Sequence, residues 1–162
     1  MLRLSKKTLL ALEAVVDVAL NARPNPVQSR EITRRQGIPQ RYLEQVMQQL
    51  VHAGILKGVR GPRGGYRLAR ERRRITVGDV VEVVGQMESS DDPKMAGPSE
   101  LGDKVIGPVW ATVQEELMVR LNAITIDDLC QQAEQAGVGK ERTGDAAKQA
   151  GAGETTPVDF TI

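Results

Sequence analysis

The stretch from Ile38 to Ala69, IPQRYLEQVMQQLVHAGILKGVRGPRGGYRLA, leaves the chain few choices, because its local signals agree on a helix followed by a hairpin. Pro39 suits a first helical position, where its missing N–H costs nothing, and Leu43, Val46, Met47, Leu50 and Val51 then recur at helical spacing. Gly54 stops the helix by taking the left-handed conformation past its end. Two short apolar runs follow, Ile55 to Val59 and Tyr66 to Ala69. Between them lie Gly61, Pro62, Arg63, Gly64 and Gly65, which predicts a hairpin with a glycine-rich tip.

A shorter helix is predicted just upstream, Ser29 to Gln36, with Ser29 as its cap and Gly37 as its stop. Two helices joined by Gly37, Ile38 and Pro39 have helix-turn-helix spacing, and the hairpin adds a wing. The exposed face of the second helix carries Gln40, Arg41, Glu44, Gln45, Gln48 and Gln49, side chains able to pair with base edges in a major groove. An ordinary soluble helix also carries glutamines; the density of Arg60, Arg63, Arg67, Arg70, Arg72, Arg73 and Arg74 in or just after one hairpin favours a phosphate-facing module.

Net charge is only +1, so its distribution carries the information. Residues 1–84 hold 16 Lys+Arg against 7 Asp+Glu, whereas residues 85–162 hold 6 against 14, giving +9 and −8. That is the pattern of a chain whose first half alone meets phosphate. Aromatic residues make up 2%, so the core is aliphatic, as suits packed helices. The apolar run after Arg3, Lys6 and Lys7 is broken by Glu13 and Asp17, unlike a signal sequence, and reads as a helix with Leu9, Leu12, Val16, Ala19 and Leu20 inside and the two acids in water. No run is long enough for a bilayer, and one cysteine provides no disulfide framework, so the expected location is the cytoplasm.

In order, Ser5 caps a first helix reaching about Ala22, before Pro24 and Pro26. Thr76 and Asp79 form a capping box for a helix holding Val80, Val81, Val83 and Val84, closing a domain at 1–85 near Gly85. Residues 86–103 read as a loop. Region 104–136 then holds a helix from Pro108 with the stripe Trp110, Val113, Leu117, Leu121 and Ile124, and a short helix to Gln135 capped by Thr125 and Asp128. The stripe packs either on its own domain or on a second copy. The segment 137–162 has a disordered composition but ends in Pro157, Val158, Asp159, Phe160, Thr161 and Ile162, three apolar side chains in the last five positions.

The segments REITRRQGIP, YLEQ, AGILKGVRG, GGYRLAR, ITVGDVVEVV and ITIDDL, in this order over roughly residues 1–130, resemble the bacterial Rrf-two family of winged-helix transcription regulators, which includes the IscR, NsrR and CymR groups. The resemblance implies a mainly α fold with a β-hairpin wing, and a homodimer made by the stripe-bearing helix. It also implies a palindromic duplex as target, met by Lys7, Ser29, Gln40, Arg41, Tyr42, Glu44, Gln45, Arg60, Gly61 and Arg63. Thr8, Leu9 and Leu10 depart from the family pattern beside Lys7, leaving it a phosphate contact only.

Many relatives hold an iron–sulfur cluster through three loop cysteines. This loop has none, and Cys130 and His52 alone make no metal site, so no cofactor is expected. Glu88, Asp91, Asp92, Glu100 and Asp103 lack the spacing of an oxygen-ligand loop. No phosphate loop or nucleophile pattern points to an enzyme. A DNA-binding repressor is the leading expectation. A winged helix used for protein contacts, or a regulator of an unknown small ligand, is the alternative. Finally, Asp159, Phe160, Thr161 and Ile162 resemble the C-terminal peptides of serine acetyltransferases, whose last isoleucine enters cysteine synthase. With the CymR group tied to cysteine metabolism, the resemblance implies that pyridoxal-phosphate enzyme as a partner, capturing Ile162 beside Val158 and Phe160.

Overall fold

Helix α1 (Lys6–Asn21) is the element the others pack around, touching α2 (Ser29–Gln36), α3 (Gln40–His52), the strand Gly65–Leu68 and two later helices. The computed structural model describes residues 4–91, 97 and 99–139. Ser5 caps α1 as predicted, its hydroxyl accepting from the Thr8 N–H at 3.1 Å. Of the predicted stripe, Leu20 is buried and Leu12, Val16 and Ala19 are partly buried against the core, but the centre of the buried face lies beside it. Ala11, Ala14, Val15 and Val18 are fully buried, while Leu9 is 46% exposed. Small side chains let several helices approach one central helix, which a leucine-rich face would hold apart. Asp17, predicted on the wet face, is 2% exposed.

The cap of α2 is Gln28, not Ser29: the Gln28 N–H donates to Glu31 Oε2 at 2.7 Å, and Ser29 is the first helical residue. Gly37, left-handed at φ 66°, ends α2. Pro39 stands just before α3 as its cap, and Leu43, Val46, Met47 and Leu50 are all fully buried. Each such side chain stabilises the fold by ~1.5–3 kcal/mol relative to exposure. Gly54 takes φ 72° and turns the chain into β1 (Leu56–Val59), antiparallel to β2 (Gly65–Leu68) with Leu56 opposite Leu68. Val27 and Tyr66 exchange main-chain bonds at 3.0 and 2.7 Å, which ties the hairpin to the chain entering α2. A Cβ on Gly65 would lie 2.4 Å from the Val27 carbonyl oxygen, so this contact requires glycine.

After a 3-10 turn at Arg72–Arg74, the predicted capping box is present: the Thr76 N–H donates to Asp79 Oδ2 at 2.9 Å, and the Asp79 N–H to Thr76 Oγ1 at 3.1 Å. Helix α4 (Val77–Asp91) then continues through Gly85, so the segment predicted as a loop from 86 begins as helix. Nothing crowds Gly85, and Gln86, Met87 and Glu88 are good helix formers. Helix resumes at Glu100, ahead of the predicted start at Pro108. A π turn, Gly102–Ile106, joins α5 (Gly107–Asn122), with the Gly107 N–H reaching the Gly102 carbonyl. Pro108 has no N–H, and the wide turn lets its ring pass a carbonyl that an α register would drive it into. Helix α6 (Ile126–Gln135) has its predicted box, Thr125 N–H to Asp128 Oδ2 at 2.8 Å.

Residues 137–139, predicted to open a disordered tail, fold back, and Asn21 Nδ2 donates to the Gly139 carbonyl at 2.7 Å. The remaining tail, with Val158, Asp159, Phe160, Thr161 and Ile162, lies outside the described residues. The mainly α architecture with a hairpin wing is the predicted one. Among the described residues no helix is long and apolar enough to cross a membrane.

Candidate nucleic-acid interface

With one side of α3 consumed by the core, its other side presents Gln40, Arg41, Glu44, Gln45, Gln48 and Gln49 to solvent, as the periodicity requires. Two of these are held in place. Thr33 Oγ1 donates to Gln40 Oε1 at 3.2 Å, and Gln40 Nε2 donates to Glu44 Oε1 at 2.7 Å, which couples α2 to the start of α3. Arg41 makes no hydrogen bond or ion pair among the described residues and extends outward. Tyr42 differs from its neighbours. Half-buried, it donates its hydroxyl to the Lys7 carbonyl at 2.6 Å, and burial together with the nearby Glu88 carboxylate pushes its pKa up to about 12. Lys7 is exposed at the start of α1, and Ser29 is half-buried at the start of α2.

The wing tip is compact: the Gly64 N–H donates to the Gly61 carbonyl at 2.9 Å, and Gly61 sits at φ 112°. Arg60, Gly61 and Arg63 are exposed there. Four of the seven arginines counted in the sequence have other work. Arg67 donates to the Ala22 and Pro24 carbonyls and Arg70 to the Gly54 and Arg74 carbonyls. Arg72 and Arg73 pair with Asp127 of α6 at 2.6 and 3.3 Å. Much of the basic run therefore fastens the base of the wing to the body.

Sequence reasoning missed the acid that locks α1 to α2. Asp17 accepts from Arg35 Nη2 at 2.7 Å, Arg35 Nε at 2.8 Å and Gln36 Nε2 at 2.8 Å. The available signal was an aspartate flanked on both sides by valine, which is unusual for a solvated helix face.

Along α5, Trp110 is 47% exposed, Val113 41% and Ile124 37%, with Leu117 half-buried. Leu121, grouped with them by spacing, turns onto its own chain at 9% exposure. The apolar surface also extends backward through Leu101, Val105, Ile106 and Val109, exposed side chains that the heptad pattern did not include. Cys130 is fully buried in the core, where burial raises its thiol pKa against the opposing pull of Arg72. His52 is exposed on α3, and no group of three His, Cys, Asp or Glu able to hold a metal occurs among the described residues.

A family model described as iron-dependent transcriptional regulator, the Rrf-two family, matches residues 4–132. The regulator IscR of Salmonella paratyphi B is 36% identical over 152 residues, covering 93% of each chain. Among solved structures, IscR of T. potens superimposes with a TM-score of 0.66 at 35% identity, over 86% of this chain and 94% of its own. CymR, the global cysteine regulator of B. subtilis, gives 0.62 at 26%, over 82% and 98%. The fold, the match over most of the chain and the identity to IscR agree, and the chain belongs to the Rrf-two family of transcription regulators.

Proposed function

We propose that this regulator acts as a homodimeric repressor on a palindromic operator, with no iron–sulfur cluster, and takes its signal from cysteine synthase. The observation that carries the DNA reading is the bare outer face of α3 beside an exposed wing tip. Arg41 and Gln45 are free to meet base edges, and Arg60, Gly61 and Arg63 to enter a minor groove. Lys7 and Ser29 stand at helix starts, where side chains serve phosphate. Gln40 and Glu44 act as a pre-oriented pair. Tyr42 works from within, by positioning α3.

The residues present do not fit the iron centre the family description implies. A cluster needs several soft thiolates, and this chain has one cysteine, deep in the core, with one histidine on another element. DNA binding is therefore a property of the bare polypeptide. The helix carrying Trp110, Val113, Leu117 and Ile124 supplies the dimer seam, and the cluster loop of relatives is here only the connection between α4 and α5. The likeness to CymR, a cysteine regulator, and the segment Asp159-Phe160-Thr161-Ile162 support the tail as a ligand for cysteine synthase. O-Acetylserine, competing for the same pocket, would free the regulator and report sulfur status.

Two measurements test this reading. Protein purified without oxygen is expected to be colourless and to bind its operator without added iron; stoichiometric iron and sulfide would overturn the cluster-free assignment. Calorimetry of cysteine synthase with a decapeptide ending at Ile162 is expected to show binding that deletion of Ile162 abolishes. A silent titration removes the tail reading and leaves the DNA reading standing.

A further inference from the structure

A pocket of about 290 Å³ opens where the carboxyl end of α1 meets the base of the wing. Val18, Ala19, Ala22 and Leu68 give it an apolar floor, and Arg23, Lys57, Arg67, Arg70 and Arg72 line it with positive charge. Lys57 stands directly opposite Arg67 across the hairpin, which puts two like charges on one face of a two-stranded sheet at a cost in stability. Arg67 in turn donates to the carbonyls of Ala22 and Pro24, on either side of Arg23. The main chain itself thus brings three cations to one place. Serving the negative end of α1 accounts for Arg67 alone, because its guanidinium takes the Ala22 carbonyl there. The side chains of Lys57 and Arg23 are exposed and make no hydrogen bond or ion pair among the described residues. Nearby acids do not balance the group. Glu71 is in the lining, Asp79 lies 3.7 Å from Arg70, and Asp127 lies 2.6 Å from Arg72. Set against the five basic side chains, these three carboxylates leave two positive charges over.

We propose that this pocket binds a small phosphate monoester, its phosphate between Lys57 and Arg23 and its apolar body over Val18, Ala19 and Leu68. The charge fits. A phosphate monoester carries close to two negative charges at neutral pH and three acceptor oxygens, for which ammonium and guanidinium groups are the strong donors. A carboxylate leaves one cation unmet, and so does a DNA phosphate, a diester with a single charge. The volume is near the lower end of small-molecule sites, which limits the body to about the size of one ring. Arg67 adds positive potential and no new contact, since its bonds to the two carbonyls stay in place. The site depends neither on the DNA contacts nor on the tail assigned above.

Calorimetry on the full chain, without DNA and at constant ionic strength, uses phenyl phosphate as the probe, with methyl phenyl phosphate as the diester control and benzoate as the carboxylate control. Phenyl phosphate is expected to saturate at millimolar concentration or below. Each control is expected to bind at least about tenfold more weakly, the effect of losing one charged hydrogen bond. Lys57→Gln and Arg23→Gln are each expected to weaken phenyl phosphate binding by a similar factor. In the unaltered protein, backbone amide resonances of Ala22, Arg23, Lys57 and Leu68 are expected to shift on titration, which locates the site even if a variant folds poorly. Failure of phenyl phosphate to saturate, equal binding of the diester, or shifts centred on Arg60 and Arg63 at the wing tip would overturn the proposal. So would a loss of operator affinity in both variants with phenyl phosphate binding unchanged, the result expected if these two cations meet the DNA backbone instead.

Discussion

Tyr42 and Asp17 show how far a side chain's role depends on a partner distant in sequence. The Tyr42 hydroxyl reaches the Lys7 carbonyl, so α3 is pinned at its start to α1. Tyr42→Phe is expected to cost about 1 kcal/mol in denaturant unfolding and to lower specific more than non-specific DNA binding, because it loosens α3 without removing a phosphate contact. The hydroxyl stays protonated well past its ordinary 10, since its pKa is about 12. Its contribution is therefore constant at neutral pH, starts to fade above 10 and is gone past 12. Asp17 is a stronger case, with no side-chain exposure and Arg35 at 13%. Asp17→Ala removes the buried carboxylate to which Arg35 and Gln36 both donate and is expected to destabilise the fold by ~3–5 kcal/mol, far beyond Glu13→Ala on the exposed face of the same helix. Equal effects of the two changes in thermal unfolding would contradict this.

Among the elements, the wing separates a structural base from an exposed tip. Arg60→Ala with Arg63→Ala is expected to leave the melting temperature unchanged and to reduce affinity most at operators with A·T flanks, whose narrow minor groove attracts arginine. Gly65→Val is expected to act on the base instead, because any Cβ there strikes the Val27 carbonyl; loss of the Val27–Tyr66 pairing would be read as faster amide exchange at both residues. The sequence made the helix, hairpin and both threonine-aspartate capping boxes legible, because each depends on residues a few positions apart. It misled where the answer is non-local. Arg67 and Arg72 look like phosphate ligands until their carbonyl and carboxylate partners, tens of residues away, come into view. The α4 boundary failed for a local reason: Gly85 reads as a stop, yet a glycine in open space within strong helix formers is only a weak cost.

At the scale of the whole molecule, the basic first half and acidic second half let one end face phosphate while the other carries the apolar length of α5. Leu101, Val105, Ile106, Val109, Trp110 and Val113 are each between 41% and 64% exposed on this chain. So much apolar surface on one helix is the mark of an interaction site. A second copy lying against it repeats the recognition helix across a two-fold axis, and the two half-sites of a palindrome are then bound with the second contact made intramolecular. This predicts a split result for Trp110→Asp combined with Val113→Asp, a change on side chains that contribute little to the monomer core. Light scattering should show a monomer with an unchanged circular dichroism spectrum. Affinity for a duplex carrying one half-site should match that of the unaltered protein, whereas affinity for the full palindrome should fall by ~10²–10⁴, the gain normally supplied by linking two binding events. A variant that remains dimeric would move the seam off this helix. A monomer that lost the half-site as well would mean that α5 supports the DNA-binding domain directly, through Leu117, Met118 and Leu121, more than it joins two copies.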